Sequence, residues 1–307
     1  MRWQFAVYYI TYESMAAQKI CLGVEINQDG LKIALVEPDH RNIIKIDAVP
    51  ASGDSMNDAS IYSSVMTSWT RNNSLPEIKA VAVAFPVQSG VMRLVDIPKE
   101  TIEQPFNYVE WEFASAINSS AKDYKLDAAY YPSPKKPQRA IVTALRKEIV
   151  DSFCSKAVES SGFRPNCLIA DICALLNLLE CSDGLDSHPQ CVLKIDQKFA
   201  VAFWGNETGP LAIRLFPKEF LAPNIIIESL DKGFKEFSKA KRKVKFCGEL
   251  SADAKYTSEL VDIAMNPKQA IEIEVWKALS KFSMAKDVDS SKLSRCLGAI
   301  GATLNCM

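Results

Sequence analysis

ICLGVEINQDGLKIALVE, residues 20–37, is the stretch on which the fold turns. Ile20, Leu22, Val24 and Ile26 alternate with Cys21, Gly23 and Glu25, the two-residue period of a strand. Asn27-Gln28-Asp29-Gly30 supplies turn chemistry and Leu31–Glu37 resumes as a second strand, so the stretch predicts a hairpin. Ile43–Val49 follows the Pro38-Asp39 turn as a third strand. Beyond the polar residues Asn57 and Asp58, the residues Ile61, Val65 and Trp69 recur at helical spacing. The same order returns in CVLKIDQKFAVAFWGNETGPLAIRL, residues 191–215, with strands over Cys191–Ile195, Phe199–Trp204 and Pro210–Leu215. A helix over Ala222–Ala240, a strand over Val244–Cys247 and a helix near Ala252–Met265 follow. Two halves, each a three-strand meander continued by helix and strand units, predict two related α/β domains facing one another across a cleft.

The segment between the halves has its own pattern. Strands over Ala80–Phe85 and Gly90–Asp96 precede a helix over Glu100–Asn118, then short strands over Ala128–Tyr131 and Ala140–Leu145 flank the turn-rich Pro132–Pro137. A helix over Lys147–Ser160 stops at Gly162. A last helix, capped near Asp289 or Ser290, aligns Leu293, Leu297, Ile300 and Leu304, with Gly298 and Gly301 permitting close backbone packing.

Composition narrows the function classes. In 307 residues, 36 Lys and Arg oppose 37 Asp and Glu, so no overall field favours nucleic acid or an anionic membrane. Nine cysteines without a Cys-x-x-Cys pair, most within apolar stretches, predict reduced core residues of a cytosolic chain. His40 and His188, the two histidines, stand apart, and no zinc site is expected. No apolar run reaches the eighteen or so residues of a membrane span. Met1–Glu13 has neither the basic start nor the cleavage site of a secretion signal. With Met15 just ahead of the first strand, residues 1–14 are expected to be an extension. Twelve glycines, against the roughly twenty that average usage gives, are few for a chain with several phosphate-cradling turns.

Several segments resemble the PilM-type actin-like proteins of type IV pilus assembly, a branch of the actin, hexokinase and Hsp70 superfamily related to the cell-division protein FtsA. Gly23-Val24-Glu25-Ile26-Asn27 through Lys32 is similar to that family's first phosphate hairpin. Ala80–Pro86 with Val91–Pro98 resembles its paired strands, and Trp111-Glu112 its Trp-Glu helix. Ala144-Leu145-Arg146-Lys147-Glu148 with Gly162-Phe163-Arg164-Pro165 is similar to its Ala-x-Arg-Lys-Glu helix, and Asp171–Leu176 to the segment after it. Asn266-Pro267 and Leu297-Gly298-Ala299-Ile300-Gly301 also have counterparts. The resemblance implies an actin-like, ribonuclease H-like α/β fold, duplicated, with an insert in the first domain. The boundaries it suggests are 15–90 for the first domain with the chain returning at 165–185, 91–164 for the insert, and 186–307 for the second domain.

In that family ATP lies in the cleft, two hairpins offer backbone N–H groups to its phosphates, and a carboxylate from each helps to organise Mg²⁺ through water. The corresponding positions here are Glu25, Asn27 and Lys32 in the first hairpin, Lys194 and Asp196 in the second, and Gly248 in the adenosine turn. Asn27 stands in place of glycine. Lys194-Ile195-Asp196 replaces Asp-Ile-Gly, putting a cation on the metal side and an acid on the phosphate side. An interaction of Lys194 with an aspartate across the cleft fits better than Mg²⁺. Only about thirty residues separate Pro217 from Val244, too few for the family's adenine-covering subdomain.

The expected function is therefore a cytoplasmic scaffold of a type IV pilus or related secretion platform, a pseudo-ATPase without a cofactor, held at the inner membrane through partners and binding no nucleic acid. The resemblance implies that the groove between the first domain and its insert receives the cytoplasmic tail of a PilN-type membrane protein. Val83, Phe85, Val91, Arg93, Tyr108 and Trp111 are expected to line it. The alternatives are an active actin-like ATPase that binds ATP and magnesium and polymerises, and a sugar-kinase-like enzyme, for which no catalytic acid or second Gly-rich turn is found. The basic run Lys232, Lys235, Lys239, Lys241, Arg242, Lys243 and Lys245 is read as a solvated face.

Overall fold

The computed structural model describes residues 20–27, 30–51, 59–101, 105–117, 120–131, 138–161, 164–182, 190–206, 209–237, 242–277 and 279–306. The expectations for residues 1–14, the turn residues Gln28 and Asp29, Asn57 and Asp58, Pro132–Pro137, Gly162, Lys239 and Lys241 lie outside them.

Strands β1 (Ile20–Asn27), β2 (Gly30–Glu37) and β3 (Asn42–Pro50) form the antiparallel meander, followed by α1 (Ala59–Arg71) and β4 (Ile78–Phe85). Next come β5 (Gly90–Ile97), α2 (Pro105–Ile117), β6 (Tyr124–Tyr131) and β7 (Gln138–Arg146), then α3 (Lys147–Ser161), β8 (Cys167–Ala170) and α4 (Asp171–Ser182). The second half runs β9 (Gln190–Ile195), β10 (Phe199–Asn206), β11 (Gly209–Pro217), α5 (Pro223–Phe237), β12 (Lys243–Cys247), α6 (Ala254–Ala264), β13 (Glu272–Val275), β14 (Ser283–Met284) and α7 (Leu293–Thr303).

The duplication is visible in the strand orders. The first sheet reads β14-β3-β2-β1-β4-β8 and the second β11-β10-β9-β12-β13, so each is a meander whose first strand continues into two parallel strands. Leu22, Val24 and Ile26 cover one core with Tyr62, Met66 and Trp69 of α1, as the alternation and the helical spacing require. A second core forms around Leu193, Ile195, Trp204, Ile226, Leu230 and Phe234. Among the described residues a short 3-10 turn (Lys218–Phe220) and one α-helix, α5, lie between β11 and β12.

Two boundaries differ from the sequence reading. The insert was expected over 91–164, but α3 belongs to the first domain, because Phe153 sits edge-on against Tyr62 (4.7 Å) and Phe85 (5.1 Å). The insert proper is the three-stranded sheet β5-β7-β6 with α2. The C-terminal part of 186–307 also returns to the first domain. There β14 pairs with β3, and α7 lies against β1, β2, β4 and α4. The apolar stripe of α7 finds its complement there, with Leu293, Cys296, Leu297 and Ile300 buried in one core with Ala34, Ala82 and Cys173. The helix expected over 100–118 begins at Pro105, and β6 begins at Tyr124, ahead of the expected Ala128.

Candidate functional site

The crevice between the two sheets collects charged side chains at strand ends. Glu25 lies near the end of β1 and Lys32 on β2, paired with each other in register, while Lys194 and Asp196 come from the end of β9. Asp171 opens α4 where β8 ends, and Gly248-Glu249 follows β12. Arg295 reaches in from α7. Glu25, Lys32, Asp171, Lys194 and Asp196 are all buried.

The Lys194 ammonium is the centre of this cluster. Its Nζ lies 2.5 Å from Glu25 Oε1, 2.5 Å from Asp171 Oδ2 and 3.2 Å from Asp196 Oδ2. Burial pulls Lys194 down, but Asp171, Asp196 and Glu25 together outweigh it and hold it well above the usual lysine range. Burial likewise pushes Glu25 up, against the opposing pull of Lys194, and the charges of Asp196 and Asp171 push the same way as burial. A second pairing stands beside the first, in which Glu249 takes both Lys32 and Arg295, the latter at 2.7 Å. Burial, and then the Arg295 charge, lowers Lys32.

Local backbone explains how these groups meet. The Asp171 carboxylate accepts the N–H groups of Val87 (3.0 Å) and Ile172 (2.7 Å) through Oδ1, leaving Oδ2 for Lys194. Asp196 Oδ1 accepts the Glu249 N–H at 3.1 Å, so the second hairpin is tied to the turn after β12. Gly248 has φ +94°, and its N–H donates to the Ser294 carbonyl at 3.0 Å. Against Glu25, α7 presents Gly298, where a Cβ would stand 2.3 Å from Glu25 Oε2, so the carboxylate has no room to retreat from Lys194.

The sequence-predicted positions Glu25, Lys194 and Asp196 are thus brought together, and Lys32 stands next to them on Glu249. Asn27 ends β1 opposite Gly30 and is buried. Sequence reasoning missed Asp171 as the main Lys194 partner, and Glu249 and Arg295 altogether. Asp171 lay in a segment noted only for its resemblance, and Arg295 sits on a helix read for its apolar stripe.

These residues do not fit a nucleotide with its metal. Three cations, Lys32, Lys194 and Arg295, already face four carboxylates, Glu25, Asp171, Asp196 and Glu249. A triphosphate would have to enter among carboxylates that are already buried there, and desolvated like charges repel strongly. Among the described residues no group of three or more His, Cys, Asp or Glu side chains is arranged to hold a metal ion.

A second concavity lies between the first sheet and the insert. It measures about 370 Å³ and is walled by Val91 and Met92 of β5, Asp127 of β6, Thr143 of β7, Val150 of α3 and Leu168 of β8. β8 ends the order of the first sheet, so its outer edge has no neighbouring strand among the described residues. Of the six residues expected to line a partner groove, Val91 lines this concavity. Val83 and Phe85 do not, because they point into the core beneath α1 and α3, 0% and 3% exposed. The alternation of β4 gives the reason, since Val81, Val83 and Phe85 share that face. Arg93 sits on β5 opposite Val142, away from the groove wall. Tyr108 and Trp111 lie on α2, which covers the insert sheet through Val109 and Phe113, with Trp111 62% exposed.

The basic run is partly partnered. Asp231 takes Lys235 (2.5 Å) and Arg242 (2.6 Å), and Lys245 stacks over Trp276 at 5.4 Å. Among the described residues no helix is long and apolar enough to cross a membrane.

Solved structures share this architecture. The chain is similar to a chain of the PilM-PilN type IV pilus biogenesis complex, with a TM-score of 0.73 and 17% identity over 94% of this chain and 98% of that one. It is also similar to the cytoplasmic domain of EpsL, an inner membrane component of the type II secretion system of Vibrio cholerae. There the TM-score is 0.53 and the identity 9%, over 92% of this chain and 94% of that one. No protein-family model and no curated protein matches the chain. The likeness establishes the actin-like fold, shared with PilM-type actin-like proteins.

Proposed function

We propose that this chain is a scaffold of a type IV pilus or related secretion platform, a PilM-type protein whose crevice does not turn over ATP. Its groove beneath the insert receives the cytoplasmic tail of a PilN-type membrane protein. The observation that carries the reading is the Lys194 ammonium standing among Glu25, Asp171 and Asp196, where the fold otherwise calls for a metal and phosphates. The overlap of the chain with a member of the PilM-PilN complex over almost its full length supports the choice of partner. The groove supports it too, since it is apolar, open and bordered by the terminal strand β8, to which an extended peptide can add with main-chain hydrogen bonds. Held in this way the protein sits on the cytoplasmic side of an inner membrane without entering it.

Two measurements test the reading. Calorimetric titration of the full chain with a PilN-type tail peptide should give saturable binding that Met92→Gln weakens at least tenfold. No binding by the intact chain would remove the partner. Adding ATP and Mg²⁺ should leave the melting temperature unchanged, whereas a ligand at a hundred times its Kd stabilises by about 2.7 kcal/mol.

A further inference from the structure

We infer that the groove selects, through Asp127, a segment carrying one cationic side chain, a lysine or an arginine, among apolar neighbours; this rests on the groove being the docking site. Asp127 is on β6, in register with Thr143 of β7, and both residues line the groove. Among the described residues its only hydrogen bond is the one it accepts from the Ala128 N–H, 2.8 Å from Oδ1. Among the described residues the rest of the carboxylate has no partner of its own.

The groups around Asp127 do not neutralise it. On its own strand Lys125 is 3.7 Å from Asp151 of α3. Arg164, ahead of β8, lines the same groove and is exposed to solvent. Cys154 of α3, Cys167 of β8 and Cys173 of α4 are thiols that burial keeps protonated, and the Asp127 charge pushes the last two the same way. Burial pushes the Asp127 carboxyl up to about 6, with no cation opposing the shift. A peptide lying across the groove would remove the remaining water from this carboxylate. That is costly unless the peptide brings a donor, and a charged donor makes the strongest and shortest bond.

The test is a decapeptide display library panned on the full chain, with each selected clone re-measured on Met92→Gln and Asp127→Asn. Clones that lose binding on Met92→Gln should share a Lys or Arg at a fixed spacing from apolar residues. Synthetic versions with norleucine at that position should bind wild type about tenfold more weakly, as a close charge pair predicts. On Asp127→Asn the two versions should bind alike. Groove-dependent clones with no basic position would overturn the inference and leave the groove intact as a docking site. Clones indifferent to Met92→Gln would remove the docking site and the inference with it. Asp127→Asn keeps the shape of the side chain and removes only a charge that burial disfavours, and a cooperative melt no lower than that of wild type confirms the comparison.

Discussion

The interdomain crevice and the groove beneath the insert both flank the first sheet and both hold carboxylates drawn out of water, yet they treat them in opposite ways. In the crevice each acid has an internal cation, Lys194 for Glu25, Asp171 and Asp196, and Lys32 with Arg295 for Glu249. In the groove Asp127 has one backbone N–H. A buried charge the fold has already answered leaves a ligand little to gain, and one left unanswered marks where a ligand can add the missing partner. The sharpest way to break this contrast is Lys194→Met, which keeps the length and removes the charge. Stranding three buried carboxylates should destabilise the protein by about 3–5 kcal/mol in urea unfolding at pH 7. The loss should shrink towards pH 4, because carboxylates without the ammonium take up protons and cease to repel. A variant as stable as wild type at pH 7 would mean that the ammonium is not what holds these acids in the crevice.

The next test concerns the helix that seals the crevice. Gly298→Ala places a methyl group 2.3 Å from Glu25 Oε2, and either α7 or the carboxylate must move. The cost should be about 2–3 kcal/mol, and a double variant with Glu25→Ala should recover much of it, since the obstructing oxygen is then gone. Equal losses in the two backgrounds would show that α7 is positioned by other contacts.

How much of the contrast was legible in the sequence follows from the range of each signal. The meanders were legible because alternation is a local property, as was the polarity reversal at Lys194-Ile195-Asp196. The strands β8 and β13 were not, since four residues at the parallel end of a sheet show too little alternation to register. Glu249 and Arg295 were invisible for another reason. Their roles come from β12 and α7 converging on β2, and no spacing along the chain encodes that approach. Val83 and Phe85, expected on a groove, face the core instead, because they belong to the period-two set facing α1 and α3. Sequence fixes which residues share a face, while the packing of α3 decides which face is the inner one.

Asp127→Asn examines the other half of the comparison and carries the opposite sign. The folded carboxyl titrates at about 6 and an unfolded aspartate near 4, so the folded state binds the proton more readily. Stability from this group is present below pH 4 and is lost as pH rises through 6. Asparagine should therefore stabilise the protein at pH 7, by on the order of 2 kcal/mol, and make no difference at pH 4. A destabilising effect at pH 7 would show that Asp127 has a favourable partner in the fold and would undo its role as an open charge.

The smallest effect is expected on the far side of the insert sheet. Trp111 is 62% exposed and touches Tyr108, at 5.9 Å between ring centres, while Val109 and Phe113 bind α2 to the sheet. Trp111→Ala should change stability by no more than about 0.5 kcal/mol. It should also leave tail-peptide affinity where it was, because the groove opens on the sheet's opposite face towards β8. Both expectations follow from the same geometry but fail separately. A loss of stability would mean that the indole anchors the helix, whereas a loss of affinity at unchanged stability would carry the docking surface round the insert onto α2. In the second case the relevant contrast would lie between the two faces of the insert, and Asp127 would be at its edge.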